Sequence, residues 1–177
     1  MDVDPAKAYA YLIRFLELWG VRRAAVNVSP EELSSKIAEI KPILMRLSVS
    51  ILEANSEALN DAKEAFQRIS SVRGIGATSA SKILHLLRPR FFVMWDKEIA
   101  EKKYHVAMNA DGYVEFLKKC QSELKALLAK YKELGIKDPE SWLTRKYGKP
   151  LAKLLDEYNW LLTRPWLQRI LALNCTQ

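Results

Sequence analysis

Residues 71 to 99 hold the side chains whose types and spacing could do chemistry. Gly74-Ile75-Gly76 is followed by Thr78, Ser79 and Lys82, and later by Trp95-Asp96-Lys97-Glu98-Ile99. Glycine at 74 and 76 lets the backbone take positive φ and come close to another molecule. A turn of this kind that feeds a helix leaves the first N–H groups of that helix without intrahelical partners, and such groups favour a phosphate. The N–H groups around Gly74, Gly76 and Thr78 are the expected phosphate contacts, with Ser79 beside them. Arg73, Lys82, Arg88, Arg90 and Lys97 surround the turn and can add positive charge. Each of them taken alone reads as a solvated surface residue.

Asp96, just ahead of Lys97-Glu98-Ile99, has the form of a helix N-cap. Thr78 and Ser79 also read as caps. His85 and His105 stand apart from any second ligand at metal spacing, so no metal site is expected. No phosphate-binding loop of the Walker type, HExxH or serine-histidine-aspartate set occurs. Two cysteines, Cys120 and Cys175, exclude a zinc ribbon and a four-cysteine iron–sulfur cluster.

The elements that must position these residues read as helices throughout. Asp4-Pro5 is a cap with proline at the first helical position, and the pattern Tyr9, Leu12, Ile13, Phe15, Leu16, Trp19 runs to a stop at Gly20. Ser29-Pro30-Glu31-Glu32 opens a second helix, with a break or kink expected at Pro42 and a separate apolar piece from Ile43 to Leu52. A helix capped by Ser56 runs through Ile69 and forms the first arm of a helical hairpin. The second arm ends at Arg88-Pro89. Phe91 to Trp95 is an apolar connector, expected to be extended and packed down. A short helix over 97–104, a long one opened by Asp111-Gly112, and further helices from Pro139, Pro150 and Trp166 complete the chain.

The 177 residues suit one helical domain, with room for two helical lobes around a cleft, and carry a formal net charge of +7. That excess suits a polyanion, because neutralised phosphates release counterions. No apolar run is long enough to span a membrane, and the N-terminus lacks a signal-peptide pattern. A reducing intracellular compartment, cytoplasmic or nucleoid-associated, is the expectation.

The hairpin resembles the helix-hairpin-helix of the DNA glycosylase superfamily, which includes endonuclease III and the adenine, alkyl-adenine and oxoguanine glycosylases. The resemblance rests on Gly74-Ile75-Gly76, Ala80 and Asp96, and covers roughly residues 60 to 105. In that superfamily an Asp follows 18 residues after the hairpin position that carries Lys in bifunctional members; here Asp96 follows Thr78 by 18. The resemblance implies an all-α glycosylase-like fold, double-stranded DNA as partner, and Asp96 as the catalytic carboxylate. That carboxylate would stabilise positive charge on the deoxyribose or activate the nucleophile. Threonine has no amine, so Thr78 implies release of a base with the strand left uncut. Trp95, beside Asp96, is the candidate for stacking on a base turned out of the duplex, with Trp142, Tyr158 and Trp160 behind it. Hairpin backbones of the family can also hold a monovalent cation through carbonyls. Two readings follow: a base-excision repair glycosylase of the hydrolase type, and a non-catalytic DNA-binding module on the same fold. A helical protein that meets RNA or a protein through its basic face is a third.

Overall fold

The structure, a computed structural model, describes residues 5–19 and 28–165. The Asp4 cap, the Gly20 stop, the helix expected from Trp166 to Leu173, and Cys175 lie outside them. The described residues form an all-α fold with no strand: α1 (Pro5–Leu18), α2 (Pro30–Arg46), α3 (Ser56–Ser70), α4 (Ala77–Leu87), α5 (Ala110–Glu133), α6 (Pro139–Tyr147) and α7 (Leu151–Leu162). A 3-10 turn at Ile51–Glu53 and a π-helical turn at Glu98–Lys103 lie between them.

Local chemistry accounts for most of these boundaries. Ser29 accepts the Glu32 N–H at 3.2 Å and Pro30 takes the first turn of α2. Asp138 accepts the Ser141 N–H at 3.1 Å, and Gly148, in the left-handed region at φ 64, closes α6. Two caps differ from expectation. Asn55, not Ser56, caps α3 through the Ala58 N–H at 2.8 Å, and Asn109, not Asp111, caps α5 through the Gly112 N–H at 2.9 Å. In each case an Asn one or two residues earlier offers a carboxamide oxygen at the same offset from a free N–H. Pro42 does not break α2, which runs through it to Arg46. Proline removes one N–H, yet Ile40, Ile43 and Leu44 on either side are buried, and that burial holds the helix in register.

The buried apolar residues form one continuous cluster from Leu12 in α1 to Leu155 in α7. Helix α3 is central, packed against α2, α4 and α5. As expected, Phe91 to Trp95 is an irregular, fully buried connector. It threads an aromatic centre in which Phe66 stacks on Tyr113 at 4.3 Å and Trp95 meets Tyr113 edge-on at 4.9 Å. The π-helical turn is anchored by a polar network: Lys103 and Tyr104 both reach Glu123 on α5 and Asn159 on α7. Cys120 lies buried beside it, and burial pushes its thiol well above the usual range. Among the described residues no helix is long and apolar enough to cross a membrane.

Candidate functional site: a hairpin N-terminus and a charged cavity

The turn from α3 to α4 behaves as a glycine turn should. Gly74 sits at φ 88, a region that a side chain makes costly. Gly76 is extended at φ −87 and is the N-cap of α4, with no side chain capping the helix. The first bond of the helix runs from the Ala80 N–H to the Gly76 carbonyl at 2.9 Å. The N–H groups of Ala77, Thr78 and Ser79 thus lack intrahelical partners. A Cβ at Gly76 would meet no atom of the described residues within 4 Å, so there is open space beside this end. Arg73 is exposed at the same corner.

Thr78 and Ser79 lie inside α4 rather than at its cap. Ser79 is buried, so only its backbone N–H can reach a ligand. Thr78 is half-buried, and its carbonyl accepts the Ser81 hydroxyl at 2.9 Å. The Trp95 backbone N–H meets the same hydroxyl at 3.3 Å, and the Trp95 indole N–H donates to the Ala77 carbonyl at 3.1 Å. The first turn of α4 therefore grips the residue next to Asp96 at two points. Trp95 itself is only 1% exposed. Its rings are covered by Phe66, Tyr113 and Phe116; it borders the cavity that Asp96 lines but has almost no accessible surface for a base to stack on, and the expected stacking role is corrected.

Asp96 caps the turn that follows it, accepting the Ile99 N–H at 2.9 Å. Its other oxygen faces Arg164 at 3.4 Å, and the side chain stays partly open. It lines a cavity of about 630 Å³ with Trp19 from the end of α1, Lys82 from α4, Lys153, Asp156 and Trp160 from the α7 side, and Arg164. Thr78 is not among the lining residues. Lys82 is.

Three of the four cations here hold carboxylates: Lys149 meets Glu157 and Lys153 meets Asp156, each at 2.8 Å, and Arg164 meets Asp96. Lys82 instead donates to the neutral Trp19 carbonyl at 2.9 Å. Its amine lies 5.6 Å from the Trp19 ring centre, with Lys153 closer to that ring at 4.2 Å. Burial pulls the Lys82 amine below its ordinary value of 10.5, opposed by the Asp96 and Asp156 carboxylates. Burial likewise pushes the Asp156 carboxyl up, opposed by Lys153. The exposed aromatic of the site is Trp160, with the Arg164 guanidinium 4.5 Å from its ring centre. Arg164 Nε is buried without a hydrogen-bond partner among the described residues.

Of the other cations, Arg88 donates to the Leu44 and Leu87 carbonyls. Arg90 faces Glu140 beside a second cavity, and Lys97 is exposed near Glu101. His85 is buried against the Phe92 carbonyl, a structural role. Among the described residues no three His, Cys, Asp or Glu side chains converge to hold a metal. The residues missed from sequence are Trp19, Lys149, Lys153, Asp156 and Arg164. The signal was present in the spacing of 149, 153, 156 or 157, 160 and 164, one face of a helix and its extension.

No protein-family model, curated protein or solved structure matches this chain.

Proposed function

We propose that the chain is a DNA-binding protein of the DNA-glycosylase type, cleaving an N-glycosidic bond with Asp96. The observation that carries the reading is the coupling of two features. The uncapped α4 N-terminus holds Trp95 through Ala77 and Ser81, and Trp95 leads directly to a carboxylate in a cavity. Binding of a duplex phosphate at the hairpin would thus set the Asp96 carboxylate at a fixed distance from the strand. The cavity volume lies within the range of small-ligand sites, roughly 300–1,000 Å³, and suits one extruded nucleoside. Trp160, exposed beside Asp96, is the stacking surface that such a nucleoside would meet once Arg164 leaves its ring.

The chemistry asked of Asp96 is electrostatic. As the base departs, positive charge grows on the sugar, and a carboxylate held in place by the Ile99 N–H needs no reorganisation to stabilise it. The partner is double-stranded DNA, engaged mainly through phosphates, and the net charge of +7 supports that partner. No cofactor is required for this reaction.

The cap and the Arg164 contact also favour a second reading, in which Asp96 is purely structural and the hairpin serves a non-catalytic DNA-binding module. Duplexes carrying uracil, oxoguanine, alkylated purines or mismatched adenine, treated with protein and then alkali, separate the two. An abasic site that forms with the native chain and not with Asp96→Asn supports the glycosylase. Duplex binding that survives Asp96→Asn with no abasic site from any substrate leaves the binding module.

A further inference from the structure

We propose that the exposed ridge of α5 carrying Lys118, Lys125 and Lys132 is a second nucleic-acid surface, one that meets duplex phosphates away from the hairpin and the cavity. It shares the DNA partner of the reading above and depends on neither Asp96 nor base release. The three lysines recur every seven residues, which keeps them on one face with about 20° of drift and about 10.5 Å of rise per step. All three are exposed. Among the described residues none of them holds a carboxylate. Glu115 and Glu123 of the same helix are taken by Lys119 and Lys103, each at 2.8 Å. Glu133 points about 100° away from Lys132. The stretch 118–146 holds eight Lys and Arg against four Asp and Glu, so under a fifth of the chain supplies four of its seven net charges.

Two contacts fix where the ridge stands. Lys63 of α3 meets Asp111 at the start of α5. Gln121 donates to the Ile51 and Ala54 carbonyls, just ahead of α3, at 2.9 and 2.8 Å. The two helices are therefore antiparallel, and α5 runs on past the N-terminus of α3. The glycine turn lies at the other end of α3. The 15 residues of α3 and the chain from Gln121 to Lys132 together place Lys132 roughly 40 Å from that turn. The ridge is thus a surface of its own and not an edge of the hairpin.

The chemistry of the face selects the partner. Ser122 and Ala129, small and exposed, lie between the lysines. The exposed Leu127 points about 200° away from Lys125. A membrane surface would want apolar side chains beside the lysines, and a protein partner would want an aromatic or apolar anchor among them. An even row of one sign of charge over small residues fits a partner whose charge repeats along its length, as phosphates do.

The test follows fluorescence anisotropy at several salt concentrations, with the full chain and a lesion-free duplex of about 30 base pairs, long enough to reach both surfaces. Lys118→Gln, Lys125→Gln and Lys132→Gln together should weaken binding about tenfold or more. They should also lower the slope of log affinity against log salt by about three, one for each lost phosphate contact. Arginine at the same three positions should leave both unchanged. A control that changes Arg14, Lys41 and Lys102, exposed elsewhere on the surface, to glutamine removes equal charge and should lower the slope by less than about one. Glutamine forms helix about as well as lysine, and circular dichroism melts of all variants check the fold. The ridge variant combined with Gly76→Leu should lose both increments.

Equal slopes in the ridge and control variants would show attraction by net charge alone and overturn the proposal. So would a folded ridge variant that binds like the native chain while Gly76→Leu binds weakly, which leaves the hairpin as the DNA contact and the reading above intact. Weaker binding of the ridge variant to phosphatidylserine vesicles, with duplex affinity unchanged, overturns it in favour of a membrane. Failure to release any base leaves the ridge standing and removes only the glycosylase reading. Absence of duplex binding by the native chain at low salt removes both.

Discussion

Asp96 and Arg164 face each other at 3.4 Å across the cavity, while the same aspartate caps the Ile99 N–H at 2.9 Å. One oxygen thus does structural work and the other is held by a cation that a ligand could displace. The two duties can be separated by substitution. Asparagine caps a helix about as well as aspartate. Asp96→Asn should therefore melt within a few degrees of the native chain, whereas Asp96→Ala should lose about 1 kcal/mol. If Asp96 stabilises a charged sugar, both should lower the rate of base release by about 10²–10³-fold. Thermal melts alongside alkali-cleaved duplex gels read the two effects independently. A large melting loss in Asp96→Asn would show that the charge, and not the cap, supports the fold.

Trp95 and Trp160 invite a second comparison. Trp95 is enclosed by three aromatic rings and bonded through its indole N–H; Trp160 is open to the cavity. Trp95→Ala should cost about 3–5 kcal/mol in chemical denaturation, the range for emptying an aromatic site in a core. Trp160→Ala should leave the denaturation midpoint nearly unchanged. It should instead weaken binding to a duplex with an extrahelical base by about 1–3 kcal/mol, the worth of a lost stacking surface. Equal affinity of Trp160→Ala and the native chain for that duplex would remove Trp160 from the site.

These residues also show what was legible in the sequence. The glycine turn, the cap at Asp96 and the buried run from Phe91 to Trp95 are local patterns, and each is present as read. The stacking role given to Trp95 conflicted with that same apolar run, and packing decided it: four buried residues lead straight into the indole. Lys82 was legible only as a lysine one turn into a helix. Its environment comes from Trp19, 63 residues earlier, and from α7, some 70 residues later. No local pattern encodes such a meeting. Pro42 and the Asn caps failed for a different reason, since burial of Ile40, Ile43 and Leu44 outweighs one missing hydrogen bond, and several side chains near a helix start can serve one N–H.

The hairpin glycines should behave differently from each other. Gly74 occupies φ 88, so Gly74→Ala should destabilise the free protein by about 1–2 kcal/mol. Gly76 has ordinary φ and open space, so Gly76→Ala should cost less than about 1 kcal/mol, the difference between the two as N-caps. A larger side chain such as Gly76→Leu begins from a Cβ position in open space and would stand where a phosphate approaches the Ala77, Thr78 and Ser79 N–H groups. Duplex affinity should drop with little loss of stability, and the slope of affinity against salt should become shallower. Gel-shift titrations at several salt concentrations measure both. Unchanged affinity in a folded Gly76→Leu would place the phosphate contact elsewhere.

His85 sets an acid limit on the fold. It is buried, with Nδ1 2.6 Å from the Phe92 carbonyl, which requires the proton on that nitrogen. Burial lowers its pKa from the ordinary 6.5, the Phe92 carbonyl opposes this, and Lys153 adds to the lowering. The unfolded chain therefore binds a proton that the folded chain refuses between the lowered value and 6.5. This group's contribution is fully present above about pH 6.5 and is lost as pH falls towards the folded pKa, by at most about 1.4 kcal/mol per pH unit. Denaturant midpoints should be flat for this group between about pH 7 and 8 and fall as the pH drops below about 6.5. His85→Gln, neutral throughout and able to donate to the same carbonyl, should be less stable at pH 7 yet lose less as the pH falls below about 6.5. Parallel acid slopes for the two proteins would show that the proton is taken up somewhere other than His85.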